Sequence, residues 1–224
     1  VAKVARLYDV GRLEQAVGMV RATNFQEWKK AFSRCAIPMF NVTYADREGN
    51  IFYAYNGSIP IRDEKFDWTR TVDGSDPATQ WKGIHPFKDL PQVLNPESGY
   101  VQNCNGSPFF TTDSGNPQRE DFPQYMVRDW NVDKRRGKLA RELLSNANGV
   151  SFDWYQQLSC DSTLYWPKAE RSNWISQFDL LKQQEPDLAG RLKPYLDALL
   201  KWDGKADKTS TAALLCISWY EELY

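Results

Sequence analysis

The fold class of this chain is decided by residues 40–55, which read FNVTYADREGNIFYAY. Two runs rich in β-branched and aromatic residues, 40–45 and 51–55, flank the turn-forming sequence Asp46-Arg47-Glu48-Gly49-Asn50. This pattern predicts two antiparallel strands joined by a short loop. Because the strands are adjacent in sequence and helical patterns lie on both sides of them, we predict an α+β fold with an antiparallel sheet.

Residues 9–34, which precede this hairpin, are predicted to be helical. Asn24 has the position of an N-cap that starts a second helix, and Glu27 three residues later completes a capping box. Pro38 ends the helical structure. The apolar residues at helical spacing are Leu13, Ala16, Val17 and Val20 in the first helix and Trp28, Ala31 and Phe32 in the second.

The rest of the chain changes from loops to helices. Residues 56–98 are rich in Pro, Gly and Asn, which predicts long loops, and residues 100–103 are predicted to form a short strand. The final third is predicted to be helical at 133–146, 168–184, 187–201 and 209–223, with Ser172, Asp187 and Thr209 or Ser210 as caps. We therefore divide the chain into residues 1–130, which hold the helix pair, hairpin and loops, and 131–224, which are mainly helical.

Composition excludes several classes of protein. Lys plus Arg number 28 and Asp plus Glu 29, so the net charge of −1 provides no basic surface for a nucleic acid. No apolar run approaches the roughly 20 residues that a membrane span needs. The single histidine, His85, excludes a multi-histidine metal site within this chain. The four cysteines lack a CxxC pair, so either one or two disulfides or free thiols fit the sequence.

Asn103 and Asn105 are the first candidate functional residues. They occupy alternate positions at the end of the strand predicted at 100–103, so both side chains would lie on one face of the sheet. A rigidly held carboxamide NH2 is a good donor for a developing oxyanion. The alternative is an Asx turn, in which the side chains satisfy backbone groups of the loop.

Several blocks in order resemble the penicillin acylase family of N-terminal-nucleophile hydrolases. Their order and spacing match that family over residues 24–108, and later helical segments are similar as well. The blocks are Asn41 to Ile51, Gly57-x-Ile59-Pro60-x-Arg62, Asp73-Gly74, Trp81-Lys82-Gly83, Leu90-Pro91, Asn95-Pro96-x-Ser98-Gly99-Tyr100-Val101, Asn103-x-Asn105-x-Ser107-Pro108, Arg135 to Leu144, Lys201 to Gly204 and Ser210 to Trp219.

The resemblance implies a fold, a reaction and site residues. The fold would be part of the αββα sandwich of these hydrolases with flanking helical segments. The nucleophile is a Ser at the start of the catalytic chain, whose α-amine is the base, so no histidine is needed. By resemblance, Asn105 donates to the oxyanion, Arg135 (or its neighbour Arg136) orients the site, and Phe40 lines the acyl pocket. Ordinary core burial is the compatible alternative for Phe40.

The resemblance also implies partners and a compartment. Because Val1 is not a nucleophile, we expect the chain to be an internal piece of a larger acylase, inactive without the remainder of its precursor. Residues 105–112 and 121–126 look closest to the acyl-homoserine-lactone and aculeacin acylase branch, whose substrates are N-acyl amides with long aliphatic chains. The family is generally exported to the periplasm or beyond.

No metal or organic cofactor is expected to be required. The family often holds calcium near the loop after the Asn motif, and Asp113, Asp67 and Asp73 are the carboxylates near that place in the sequence.

Two other functions fit the residues. The chain could be a non-catalytic binding or structural domain that has kept the scaffold without the nucleophile. It could also be an ordinary hydrolase built around His85, in which case replacing His85 would abolish activity.

Overall fold

The computed structural model describes residues 3–55 and 57–223. Val1, Asn56 and Tyr224 of the sequence-based predictions lie outside the described residues. The described chain divides after Ser145 into two compact units. The first contains α1 (Gly11–Arg21), α2 (Phe25–Phe32), β1 (Val42–Ala45), β2 (Ile51–Ala54), β3 (Gln92–Leu94) and α3 (Arg135–Ser145). The second contains α4 (Phe152–Ser159), α5 (Tyr165–Gln184), α6 (Pro186–Lys201) and α7 (Thr211–Leu223).

The predicted hairpin is confirmed. β1 pairs antiparallel with β2, with Thr43 opposite Tyr53. Asp46 holds the turn, because its Oδ1 accepts hydrogen bonds from the backbone N–H groups of Glu48 at 3.0 Å and Asn50 at 2.9 Å. The α+β class with an antiparallel sheet is therefore correct.

The third strand differs from the prediction. β3 pairs antiparallel with β2, and the order in the sheet is β1-β2-β3. The strand predicted at 100–103 is wrong, since that segment forms no ladder and its backbone bond runs from Gln102 N to Thr111 O at 2.9 Å. β3 lies instead within the stretch predicted to be loop, because three residues are too few to show an alternating pattern.

The α2 helix covers the sheet and forms one buried cluster of the first unit with it, while Phe109, Met126 and Val127 form another. Its predicted cap is confirmed, since Asn24 Oδ1 accepts a hydrogen bond from Glu27 N at 2.9 Å. The Glu27 carboxylate accepts a hydrogen bond from Thr23 N at 2.9 Å, whereas a capping box would have it accept from Asn24 N. The buried residues Phe25, Trp28 and Phe32 pack against Phe52 and Ala54 of β2.

The α1 helix approaches α2 closely at small residues, and Met19 of α1 packs against the buried cluster to which α2 contributes. A Cβ at Gly18 would lie only 2.9 Å from the Ala31 Cβ, which shows how closely the two helices approach. The buried residue of α1 is Gln15, whose Oε1 accepts a hydrogen bond from Ala36 N at 2.7 Å. Leu13 and Val20 are 72% and 85% exposed.

The second unit has a helical core of its own. Trp174 of α5, Leu199 of α6 and Cys216 of α7 belong to one buried cluster. The predicted helices are present, and α4 was not predicted. Ser210 caps α7, because its Oγ accepts a hydrogen bond from Ala213 N at 3.1 Å.

Two other predicted caps are wrong. Ser172 lies inside α5, and Asp187 lies in the first turn of α6, which begins at Pro186.

All four cysteines are free; Cys35 and Cys216 are buried, whereas Cys160 is exposed. Among the described residues, no helix combines the length and apolar character that crossing a membrane requires.

Candidate functional site

The loop at 103–107 is an Asx turn rather than the end of a strand. Asn103 Oδ1 accepts a hydrogen bond from the backbone N–H of Asn105 at 3.1 Å. Asn105 has φ of +57°, a left-handed conformation that Asn tolerates better than most residues. The predicted common sheet face of the two Asn side chains is therefore wrong, because no strand is present to alternate them. In the turn, Asn103 Oδ1 accepts hydrogen bonds within the loop region, whereas the Asn105 side chain points to another element.

The Asn105 side chain is held by an arginine. Arg136 Nη2 donates a hydrogen bond to Asn105 Oδ1 at 2.9 Å. The Nδ2 group of Asn105 has no hydrogen-bond acceptor within the described residues. The carbonyl is thus fixed by a cation, while the NH2 end remains available as a donor to a bound group.

This contact depends on how α3 is attached to the loop. Arg141 Nη1 donates to Phe110 O at 2.8 Å, and its Nη2 lies 2.6 Å from Asp133 Oδ2. Gln102 Nε2 donates to the same Phe110 carbonyl at 2.7 Å. A Cβ at Gly137 would lie 3.4 Å from Gln102 Nε2, so the glycine lets the first turn of α3 approach the loop.

Arg135 and Arg136 occupy the first turn of α3, and both are exposed. The contact with Asn105 is made by Arg136, whereas Arg135 has interactions of its own. Successive helical residues point about 100° apart, so only one of the pair can face a given loop. The resemblance alone points to Arg135, and the geometry brings Arg136 to Asn105.

Phe40 lies two residues before β1 and is 67% exposed. The alternative interpretation of Phe40, ordinary core burial, is therefore wrong, and its place in an acyl pocket stays a prediction. Its neighbour Asn41 donates from Nδ2 to Asn103 Oδ1 at 3.3 Å. The segment that carries Phe40 is thus joined to the loop that carries Asn105.

His85 belongs to a different part of the first unit. Its Nε2 lies 2.9 Å from Tyr125 Oη and its Nδ1 lies 3.5 Å from Asp89 Oδ2. Neither neighbour is a Ser or Cys nucleophile. The geometry gives no support to a hydrolase built around His85.

Two of the carboxylates considered for calcium, Asp67 and Asp73, serve their own turns. Asp67 Oδ1 accepts from Thr69 N at 3.0 Å, and Asp73 Oδ1 accepts from Ser75 N at 2.9 Å. No group of three His, Cys, Asp or Glu residues within the described ranges could hold a metal ion. These carboxylates alone do not provide enough ligands for a calcium ion. Calcium binding therefore stays a prediction, and no ligands are assigned to it.

Sequence reasoning missed the residues that assemble this region. Asn103 accepts from both Asn41 and Asn105, while Gln102 and Arg141 meet at the Phe110 carbonyl. Gly137 is the one sequence feature that indicates this packing, because a glycine in the first turn of a helix often marks a place where another segment packs closely against the helix.

Comparison with known proteins gives a consistent result. The family model for penicillin amidase matches residues 3–224. Penicillin G acylase of Escherichia coli is 40% identical over 100 residues, which cover 45% of this chain and 12% of that protein. Acyl-homoserine lactone acylase PvdQ of Pseudomonas syringae pv. tomato is 26% identical over 223 residues, which cover 88% of this chain and 28% of that protein.

A solved structure shares the fold. The thermostable penicillin G acylase from Alcaligenes faecalis superimposes with a TM-score of 0.68 at 24% identity, covering 97% of this chain and 38% of that one. This chain spans 12% and 28% of the two curated relatives. The predicted membership of the N-terminal-nucleophile hydrolase fold is confirmed. Since the family model extends over almost every residue, the chain belongs to the penicillin amidase family.

Proposed function

We propose that this chain is part of an amidohydrolase that cleaves the amide bond of a hydrophobic N-acyl compound. The proposal places the nucleophilic Ser outside the chain, in the remainder of the same acylase precursor. The family match and the two relatives that are acylases support this reaction class. Export to the periplasm or beyond is part of the same proposal.

One observation carries the site assignment: Asn105 has its carbonyl bound by Arg136 and its NH2 group without an acceptor among the described residues. In the proposed reaction the Ser oxygen attacks the amide carbon, and the α-amine of that Ser takes the hydroxyl proton. The carbonyl oxygen then carries negative charge, and Asn105 Nδ2 donates a hydrogen bond to it. The proton passes to the leaving amine, and water hydrolyses the resulting ester to release the carboxylic acid.

Arg136 is proposed as the positioning residue for Asn105. Its hydrogen bond to Oδ1 restricts rotation of the carboxamide, so Nδ2 does not need to reorganise when the oxyanion forms. The positive charge also polarises the amide and strengthens its N–H donor. Arg135, which the resemblance points to, is proposed to contribute at most charge to the same surface.

Phe40 is proposed to contact the acyl group. Its exposed ring and the Asn41 to Asn103 hydrogen bond support this, because an apolar surface then adjoins the Asn105 loop. The length of the acyl chain that fits is set jointly with residues outside this chain.

The test compares the 224-residue chain with the complete precursor that contains it. The substrates are p-nitroanilides of acetic, hexanoic, dodecanoic and phenylacetic acid, which report hydrolysis by colour. The proposal predicts no turnover by the chain alone and turnover by the processed precursor with a preference for apolar acyl groups. Hydrolysis by the chain alone would overturn the placement of the nucleophile.

The coding sequence upstream of Val1 provides an independent check. An in-frame Ser that follows a processing site supports the acylase. A start codon or an unrelated domain at that place contradicts it and favours the non-catalytic binding domain.

A further inference from the structure

A cleft of about 780 Å³ lies in the first unit. Three loop segments form most of its wall: 58–60, 62–69 and 124–129. Its lining combines apolar side chains such as Ile59, Phe66 and Met126 with charged ones. None of Asn105, Arg135, Arg136 and Phe40 lines it.

The distinctive residue of this cleft is Arg62. Its guanidinium carbon lies 5.1 Å from the centre of the Trp68 ring and 5.9 Å from the centres of the Trp81 and Tyr125 rings. Its Nε is buried without a hydrogen-bond partner. The Arg62 guanidinium forms no hydrogen bond or ion pair with the described residues 3–55 and 57–223. Arg62 is half-buried in this wall, and burial lowers its pKa below the ordinary value.

The acidic groups of the cleft do not neutralise Arg62. Asp67 Oδ2 lies 3.3 Å from Arg70 Nε, and Asp129 Oδ2 lies 2.6 Å from Lys134 Nζ. The remaining carboxylate of the wall, Glu64, is exposed and has no ion pair with another described residue. Arg62 is therefore a half-buried cation that contacts aromatic rings and has no carboxylate partner among the described residues, so its N–H groups can donate to an anionic ligand.

We propose that this cleft binds the carboxylate of a small apolar monocarboxylic acid. Aromatic rings stack on the faces of a guanidinium and leave its N–H edge for an acceptor in the same plane, which a carboxylate matches with two hydrogen bonds. The apolar tail would lie against Ile59, Phe66 and Met126. A phosphate group fits less well, because its higher charge would face the carboxylates of the wall.

This inference does not depend on the proposed function, because it concerns binding and not turnover. The experiment titrates hexanoate into the 224-residue chain and follows Trp fluorescence together with calorimetry. Hexanamide, which has the same shape without the charge, and inorganic phosphate are the comparison probes. We expect saturable hexanoate binding, with hexanamide and phosphate at least tenfold weaker, since a charge-assisted hydrogen bond contributes about 1.5–3 kcal/mol.

Two variants locate the site. Arg62→Met should weaken hexanoate binding about tenfold or more, because it removes the cation but keeps an apolar stem of similar length. Arg128→Met is the matched control, since Arg128 is an exposed arginine on the wall of the same cleft. It should change the affinity less than about twofold, because an exposed, screened charge contributes little.

Three results would overturn the proposal: no saturable hexanoate binding, equal binding of hexanoate and hexanamide, or an Arg128→Met loss as large as that of Arg62→Met. If Arg62→Met fails to fold by circular dichroism, Arg62→Lys replaces it. That variant keeps the charge without the planar fork, and unchanged hexanoate affinity in it would contradict two-point carboxylate recognition.

Discussion

At the scale of single residues, Asn105 combines an unusual backbone with a directed side chain. Its left-handed φ of +57° follows from the turn closed by Asn103, and Arg136 holds its carbonyl. A donor that is fixed before the reaction needs no reorganisation as charge develops, which is the condition for a strong effect on the rate.

The proposed function predicts that replacing Asn105 with Ala in the complete protein lowers kcat by about 10²–10³-fold, the usual effect of losing one oxyanion donor. KM should change little, because the hydrogen bond strengthens only as the oxyanion forms. Steady-state hydrolysis of the hexanoyl p-nitroanilide measures both constants. Asn131→Ala, at an exposed position, is the control, and activity within twofold of wild type in Asn105→Ala would show that the oxyanion assignment is wrong.

The neighbouring arginines give a second prediction. Arg136→Met should lower kcat about tenfold, because Asn105 loses a charge-assisted hydrogen bond of about 1.5 kcal/mol. Arg135→Met is the matched control and should keep kcat within about twofold. The double variant Asn105→Ala with Arg136→Met should be no slower than Asn105→Ala alone, since a positioning residue acts only through its partner. A larger effect of Arg135→Met than of Arg136→Met would restore the assignment that the resemblance favours.

At the scale of elements, the sequence predicts the β1–β2 hairpin and the α2 cap correctly, but not the strand that pairs with the other edge of β2. The hairpin and the Asn24 cap follow from neighbouring residues, so the sequence contains them. The segment at 100–103 has the composition of a strand, but its one backbone partner is Thr111, and β2 pairs with Gln92–Leu94 instead. Whether a segment forms a strand depends on the strand it pairs with, and when that partner is distant in sequence no local pattern identifies it.

For α1, too, the sequence pattern predicts the helix but not which of its residues are buried. Its apolar residues recur at helical spacing, yet Leu13 and Val20 are exposed. The helix approaches α2 at Gly18, and its buried residue Gln15 binds Ala36 N. Which face of a helix is covered depends on what approaches it, here the small side chain of Ala31. For the candidate site, the resemblance points to Asn105 and leaves Arg135 or Arg136 open, and the role of each stays a prediction. Only the structure shows that Arg136 contacts Asn105, because that contact spans 31 positions in the sequence.

Removing the α2 cap tests the element that covers the sheet. Asn24→Ala should lower the free energy of unfolding by about 1 kcal/mol, because Glu27 N loses its acceptor at the end of the helix. Urea unfolding followed by Trp fluorescence measures this. Gln26→Ala is the control, since Gln26 is exposed on the same turn. Equal stability of the wild type and Asn24→Ala would mean that water replaces the cap without cost.

The same cap predicts a dependence on pH. The hydrogen bond from Thr23 N lowers the pKa of Glu27 below its ordinary value of 4.5. A carboxyl whose pKa is lowered by folding stabilises the protein above the ordinary value, and the contribution is lost as the pH falls through the folded pKa. Glu27→Gln should therefore be less stable than wild type at neutral pH, and the difference should shrink below about pH 4. A difference that is the same at neutral and acidic pH would exclude the carboxylate as its source.

At the scale of the whole molecule, each compact unit has a buried cluster and one buried thiol. Cys35 belongs to the first unit and Cys216 to the second. Burial raises the pKa of each to about 11, so neither is a reactive thiolate at neutral pH. With a chromogenic disulfide reagent, the exposed Cys160 should react first, the half-buried Cys104 next, and Cys35 and Cys216 only when their units open.

This order of reaction measures whether the two units unfold separately. Asn24→Ala removes the cap of α2 in the first unit, and Ser210→Ala removes the cap of α7 in the second. Each change costs about 1 kcal/mol and should raise the opening equilibrium of its own unit about fivefold. We therefore expect Asn24→Ala to accelerate labelling of Cys35 alone and Ser210→Ala to accelerate that of Cys216 alone, as read by mass spectrometry of the labelled peptides. If either variant accelerated both cysteines equally, the chain would open as one cooperative unit, and the buried clusters of one unit would not be a source of stability independent of those of the other.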